Sequence, residues 1–96
     1  MTIDEFLAVL RKTTGWVVIN GQIRQLGTRC CPLQAVYGKL GTNYIEAGIR
    51  LGLSYDEICL IAKIADGTYT FTEGNSALRQ AMLDATNTTY HREVFV

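Results

Sequence analysis

The dipeptide Asn20-Gly21 lies between Trp16-Val17-Val18-Ile19 and Gln22-Ile23-Arg24-Gln25-Leu26, and it limits what this chain can fold into more than any other feature. Both residues tolerate the positive φ of a type I′ turn, and the flanking runs favour strand, so the segment reads as a tight β-hairpin. A two-residue loop also sets the register. Ile19 faces Gln22, Val18 faces Ile23, Val17 faces Arg24 and Trp16 faces Gln25. Alternation along each strand then puts Trp16, Val18 and Ile23 on one face, read as the core face, and Val17, Ile19 and Arg24 on the other. An isolated hairpin is marginally stable, so the rest of the chain must cover it.

The cover is helical. Residues 2–12 place Ile3, Phe6, Leu7 and Leu10 on one stripe, and Thr2 with Glu5 forms a capping box. After the loop Gly27–Cys31, Pro32 opens a second helix carrying Leu33, Val36, Tyr37 and Leu40, which Gly41 closes. Thr42 or Asn43 caps a third helix with Ile45, Ile49 and Leu51, ended by Gly52. Ser54 and Glu57 make a second capping box, with Leu53 and Ile58 as a hydrophobic staple. The helix they start is apolar on nearly every side, which predicts a central helix ending at Asp66-Gly67. Thr68–Thr72 alternates and reads as a short strand or an extended linker. Ser76 caps a last helix with Leu78, Ala81, Met82 and Ala85 on one face. The tail 87–96 ends in Val94-Phe95-Val96, which suits a strand added to a sheet edge, a segment packed on a groove, or a flexible end. The fold class is α+β and helix-dominated: an N-terminal helix, one β-hairpin, then a cluster of four helices with room for a short extra strand. Residues 1–96 are expected to form a single globular domain, since domains run to roughly 100–150 residues.

Charge narrows the function. Nine Lys+Arg balance nine Asp+Glu, and no basic run exceeds a pair. Tight binding of DNA or RNA depends on neutralising phosphates, so nucleic acid is disfavoured as a partner. Residues 44–65 do have helix-turn-helix spacing, with Gly48, Gly52, Ser54, Ile58 and Ile61 at the small, turn, cap and core positions. That gives the alternative reading of a DNA-binding regulator. Against it, the end of the second helix that should meet phosphates carries Asp56 and Glu57. No apolar stretch approaches the roughly 20 residues of a membrane span. Asp4 and Glu5 sit where a signal peptide needs basic residues, so the expectation is a cytoplasmic protein away from membranes.

Catalytic and metal chemistry find few candidates. Cys30, Cys31, Cys59 and His91 are the whole supply of cysteine and histidine ligands, without paired zinc spacing, and vicinal cysteines chelate one metal poorly. A Cys–His nucleophile pair would rely on a lone histidine near the chain's end. No catalytic, cofactor-binding or metal-binding residue is assigned, and the chain is read as a non-enzyme without a cofactor. The interface candidates are Arg24 and Arg29 beside the hairpin, with Trp16 and Tyr37 as aromatic neighbours, because arginine and large aromatics dominate interface energetics. Asp66 joins them, since a carboxylate at a helix C-terminus opposes the dipole and needs a reason to be there. The alternative for Asp66 is a turn former beside Gly67.

Three stretches carry a resemblance. They are Trp16…Gly21-x-Ile23-Arg24…Arg29-Cys30-Cys31-Pro32-Leu33-x-Ala35-Val36, then Leu51-Gly52-Leu53-Ser54-x-Asp56-Glu57-x-x-x-Ile61-Ala62-x-x-Ala65-Asp66, then Leu78-Arg79. Together they resemble a type of small phage- or prophage-encoded protein of unassigned function, over residues 1–86. The resemblance implies origin in a mobile element. Small non-enzymatic proteins of such elements, anti-CRISPR inhibitors among them, act on host machinery. The expected partner is therefore a host protein or protein complex in the host cytoplasm, with the oligomeric state left open.

Overall fold

A computed structural model describes residues 1–39, 41–68, 73–86 and 92–94. The helices are α1 (Ile3–Leu10), α2 (Pro32–Tyr37), α3 (Tyr44–Arg50), α4 (Tyr55–Asp66) and α5 (Glu73–Ala85). The strands are β1 (Trp16–Ile19), β2 (Gln22–Gln25) and β3 (Arg92–Val94). The architecture is helix-dominated α+β. In the hairpin β1 and β2 pair in the predicted register, with Trp16 opposite Gln25 and Ile19 opposite Gln22. β3 runs parallel to β1 on its far side, Val17 opposite Arg92 and Ile19 opposite Val94, giving the order β2-β1-β3. Of the readings open for the tail, residues 92–94 take the edge strand. Residues 69–72, which carry most of the other alternating segment, lie outside the described residues.

Trp16, Val18 and Ile23 are buried, as alternation requires. They join one core with Phe6, Leu7 and Leu10 of α1, Leu33 of α2, Ile58, Ile61 and Ile64 of α4, and Met82 of α5. Val17, expected on the outer face, is also buried, at 3% exposure. β1 is the middle strand, so both its edges are covered and a small side chain there retains little accessible area. α4 is the central helix. Ile58, Ile61, Ile64 and Ala65 are each fully buried, and α2, α3, α5 and β2 all pack around it.

Several boundaries differ from expectation. α1 spans Ile3–Leu10 instead of 2–12, with Thr2 as N-cap. α2 stops at Tyr37, because Gly38 adopts a left-handed φ of 79° and donates its N–H to the Gln34 carbonyl. α2 therefore ends before Leu40, a residue outside the described ones. α3 is capped by Asn43, whose Oδ1 accepts the Glu46 N–H at 2.8 Å. α3 buries Ala47 and Gly48 while Ile49 is 60% exposed. Packing against α4 rotates the small residues inward and leaves Ile49 outside. α5 begins at Glu73, so Ser76 is inside the helix and is not its cap.

Both capping boxes form. Thr2 and Glu5 exchange bonds of 2.9 and 3.1 Å, and Ser54 and Glu57 exchange bonds of 2.9 and 3.2 Å. Donation from Thr2 and from Ser54 holds each carboxyl below its ordinary value of 4.5. A carboxylate whose folded pKa is depressed stabilises the fold above the unfolded-chain pKa and loses that contribution as pH falls through the folded value. Urea midpoints are therefore expected to decline as pH drops below about 4.5. Glu5→Gln combined with Glu57→Gln should flatten that decline, and an unchanged slope would remove the caps from its cause.

Candidate functional site

The hairpin is tied to the C-terminal end of α4, and this junction forms the candidate site. The Asn20-Gly21 turn lies against Gly67, the C-cap of α4. A Cβ on Gly67 would stand 3.0 Å from the Gly21 carbonyl oxygen, and its φ of 73° also favours glycine. From β2, Arg24 reaches across with its guanidinium. Nη1 donates to the Ala65 carbonyl at 3.0 Å and to the Ile23 carbonyl at 2.8 Å, while Nη2 pairs with the Asp66 carboxylate. This answers the question Asp66 posed. A cation at the helix C-terminus satisfies an orphan carbonyl, and the carboxylate holds that cation in place.

Arg24 also closes the edge of β2. Its bond occupies the Ile23 carbonyl, and the following turn occupies both backbone groups of Gln25. Gln25 donates to Cys30 O at 3.0 Å and accepts from Arg29 N–H at 2.8 Å. Such an edge offers little for an added strand to pair with.

Arg24→Gln is expected to cost about 1–3 kcal/mol, because the Ala65 carbonyl and the Asp66 carboxylate lose their partner in a half-buried setting. Chemical denaturation measures it, and a loss under about 0.5 kcal/mol would make the pair an ordinary surface contact.

Arg29 behaves differently. It is exposed, its backbone is left-handed at φ 56°, and its side chain has no hydrogen bond or ion pair among the described residues. It lies between two adjoining clefts, both of which Arg24 and Arg29 line. One runs along the hairpin past Ile19, Gln22 and Leu26, where Leu26 is 60% exposed. The other, of about 260 Å³, lies between Arg24, Arg29, Cys31 and Gln34 on one side and Tyr44, Ala62 and Asp66 on the other. Ala62 and Asp66 continue the α4 face of Tyr55 and Cys59, at helical spacing i, i+4, i+7 and i+11. The exposed rings of Tyr44 and Tyr55 sit at the starts of α3 and α4.

The predicted site residues divide. Arg24, Arg29 and Asp66 come together. Trp16 does not join them at the surface: it is 6% exposed and its Nε1–H donates to Thr13 Oγ1 at 2.8 Å, so it is a core residue and no aromatic platform. Tyr37 is half-buried against the core, with the Lys39 ammonium 5.9 Å from its ring, and it lines neither cleft. Tyr44 supplies the aromatic wall instead. Sequence reasoning missed Tyr44, Leu26 and Gln34. The signal for Tyr44 was its place directly after the cap Asn43, at a helix start that α4 leaves exposed.

Cys31 is buried, and desolvation pushes its thiol above the ordinary value, which disfavours the reactive thiolate. His91 lies outside the described residues. Among the described residues no helix is long and apolar enough to cross a membrane. Comparison with protein families, with curated proteins and with solved structures finds no match for this chain.

Proposed function

We propose that this chain is a non-enzymatic protein-binding module of a mobile element that acts in the host cytoplasm by occupying a surface of a host protein or complex. The observation that carries this is Arg29, a guanidinium without a partner among the described residues, at the meeting of two clefts beside the exposed Leu26. An unpaired arginine next to exposed apolar and aromatic side chains is the composition interfaces favour. The resemblance to small phage proteins supports the host as the source of the partner, and inhibition of a defence system such as CRISPR is the corresponding role.

The DNA-reading alternative is the second reading. Burial of Ile58 and Ile61 fits its core positions, while the exposed carboxylates Asp56 and Asp66 on α4 oppose phosphate. Duplex retardation at low salt that is released as salt rises would restore it.

The test is affinity capture from host lysate, followed by titration of the purified partner against the wild type and against Leu26→Asp with Arg29→Glu. The double variant is expected to lose about 2 kcal/mol or more of binding while keeping its Tm. Binding that survives the double change places the interface elsewhere.

A further inference from the structure

We propose that the 260 Å³ cleft between the hairpin and α4 is a receptor for a carboxylate, the side chain of an acidic residue projecting from the protein partner. This rests on the docking face proposed above and gives its specificity. The volume is below the roughly 300–1,000 Å³ of sites that take drug-sized ligands, so it suits one side chain. Two guanidiniums and one carboxylate line it. Asp66 is already paired with Arg24, so of the three charged side chains that line the cleft Arg29 is the one left uncompensated. A net single positive charge matches a monoanion. The partly exposed Asp66 carboxylate at the cleft repels a phosphoryl dianion more than it repels a carboxylate.

The Arg29 backbone is also fixed in advance of binding. Its backbone is left-handed, a conformation in which glycine or asparagine costs less, yet the position carries a long cationic side chain. The Arg29 N–H on Gln25 O closes the turn, and Thr28 hydrogen-bonds both Gln25 Oε1 and Cys30 N–H. A guanidinium carried on a closed turn can present the paired N–H groups that a carboxylate accepts. Tyr44 lines the same cleft, and a phenol can donate a hydrogen bond to a carboxylate. Gln34 is held in the wall by its Oε1, which accepts from Cys31 N–H, and by its Nε2, which donates one hydrogen to Thr42 O.

The experiment titrates N-acetyl-L-aspartate amide into the whole chain while observing backbone amides by NMR. The expected result is a saturable shift centred on Arg29, Cys31 and Tyr44. The asparagine analogue should bind at least about tenfold more weakly, and Arg29→Gln should weaken the aspartate probe about tenfold without changing Tm. Tyr44→Phe keeps the aromatic wall and should weaken the probe by a smaller factor. Absence of a saturable shift, equal binding of the asparagine analogue, or tighter binding of inorganic phosphate overturns the receptor. Should Leu26→Asp abolish partner binding while the probe fails, the docking face survives and the receptor alone falls. Probe binding as expected, with partner binding indifferent to Leu26→Asp and Arg29→Glu, overturns the partner as the carboxylate's source.

Discussion

Ile61→Ala is expected to lower the unfolding free energy by about 2–5 kcal/mol, the usual range for truncating a fully buried aliphatic side chain. Ile61 has 0% exposure in the middle of α4, the helix that α2, α3, α5 and β2 all touch. Its loss removes transfer free energy and leaves a cavity that four neighbouring elements hold open. A small domain has only about 5–15 kcal/mol in total, so the variant should melt far below the wild type. Denaturant titration decides the matter, and a loss under about 1 kcal/mol would mean the site collapses readily and α4 is not the fold's centre.

Gly48→Ala is expected to be the other severe change. An added Cβ would lie 2.3 Å from Ile58 Cγ1 and 2.7 Å from its Cδ1. Ile58 is itself fully buried, and its branched side chain cannot swing away without displacing the core. α3 must therefore move off α4, at an overpacking cost of about 1–3 kcal/mol. The compensating variant is Ile58→Ala with Gly48→Ala, which removes Cγ1, Cγ2 and Cδ1 together. Partial recovery in the double variant, read as a coupling in a double-mutant cycle, locates the clash at this contact. Additive losses would place it elsewhere.

The parts of the fold legible in the sequence are those set by local rules. A two-residue turn and a period of two gave the hairpin register down to each pair. Two capping boxes marked the starts of α1 and α4, and the all-round apolar pattern of α4 marked its central place. Boundaries failed where a competing local signal won, as when the left-handed Gly38 ended α2 before the periodic Leu40. Ile49 was misplaced because the close approach of Gly48 to Ile58, a tertiary contact, decides which face of α3 turns inward. The site was only half legible. Asp66 was recognisable as a residue out of place, but its partner Arg24 is 42 positions away and no local pattern links them. Alternation already assigned Trp16 to the core, and that assignment prevails over its choice as a surface aromatic. Tyr44 became the aromatic wall through the packing of α3 on α4, which spacing alone does not fix.

Arg24 and Arg29, five residues apart in sequence, thus have opposite roles: one fastens the hairpin to α4 and the other faces outward. The most direct measurement is calorimetric titration of the proposed protein partner, once captured, against Arg29→Glu, with the Tm of the same sample. Arg29→Glu is expected to raise Kd about thirtyfold or more while leaving Tm in place. Unchanged Kd, or a Tm that falls with it, would contradict the account and move the interface away from this junction.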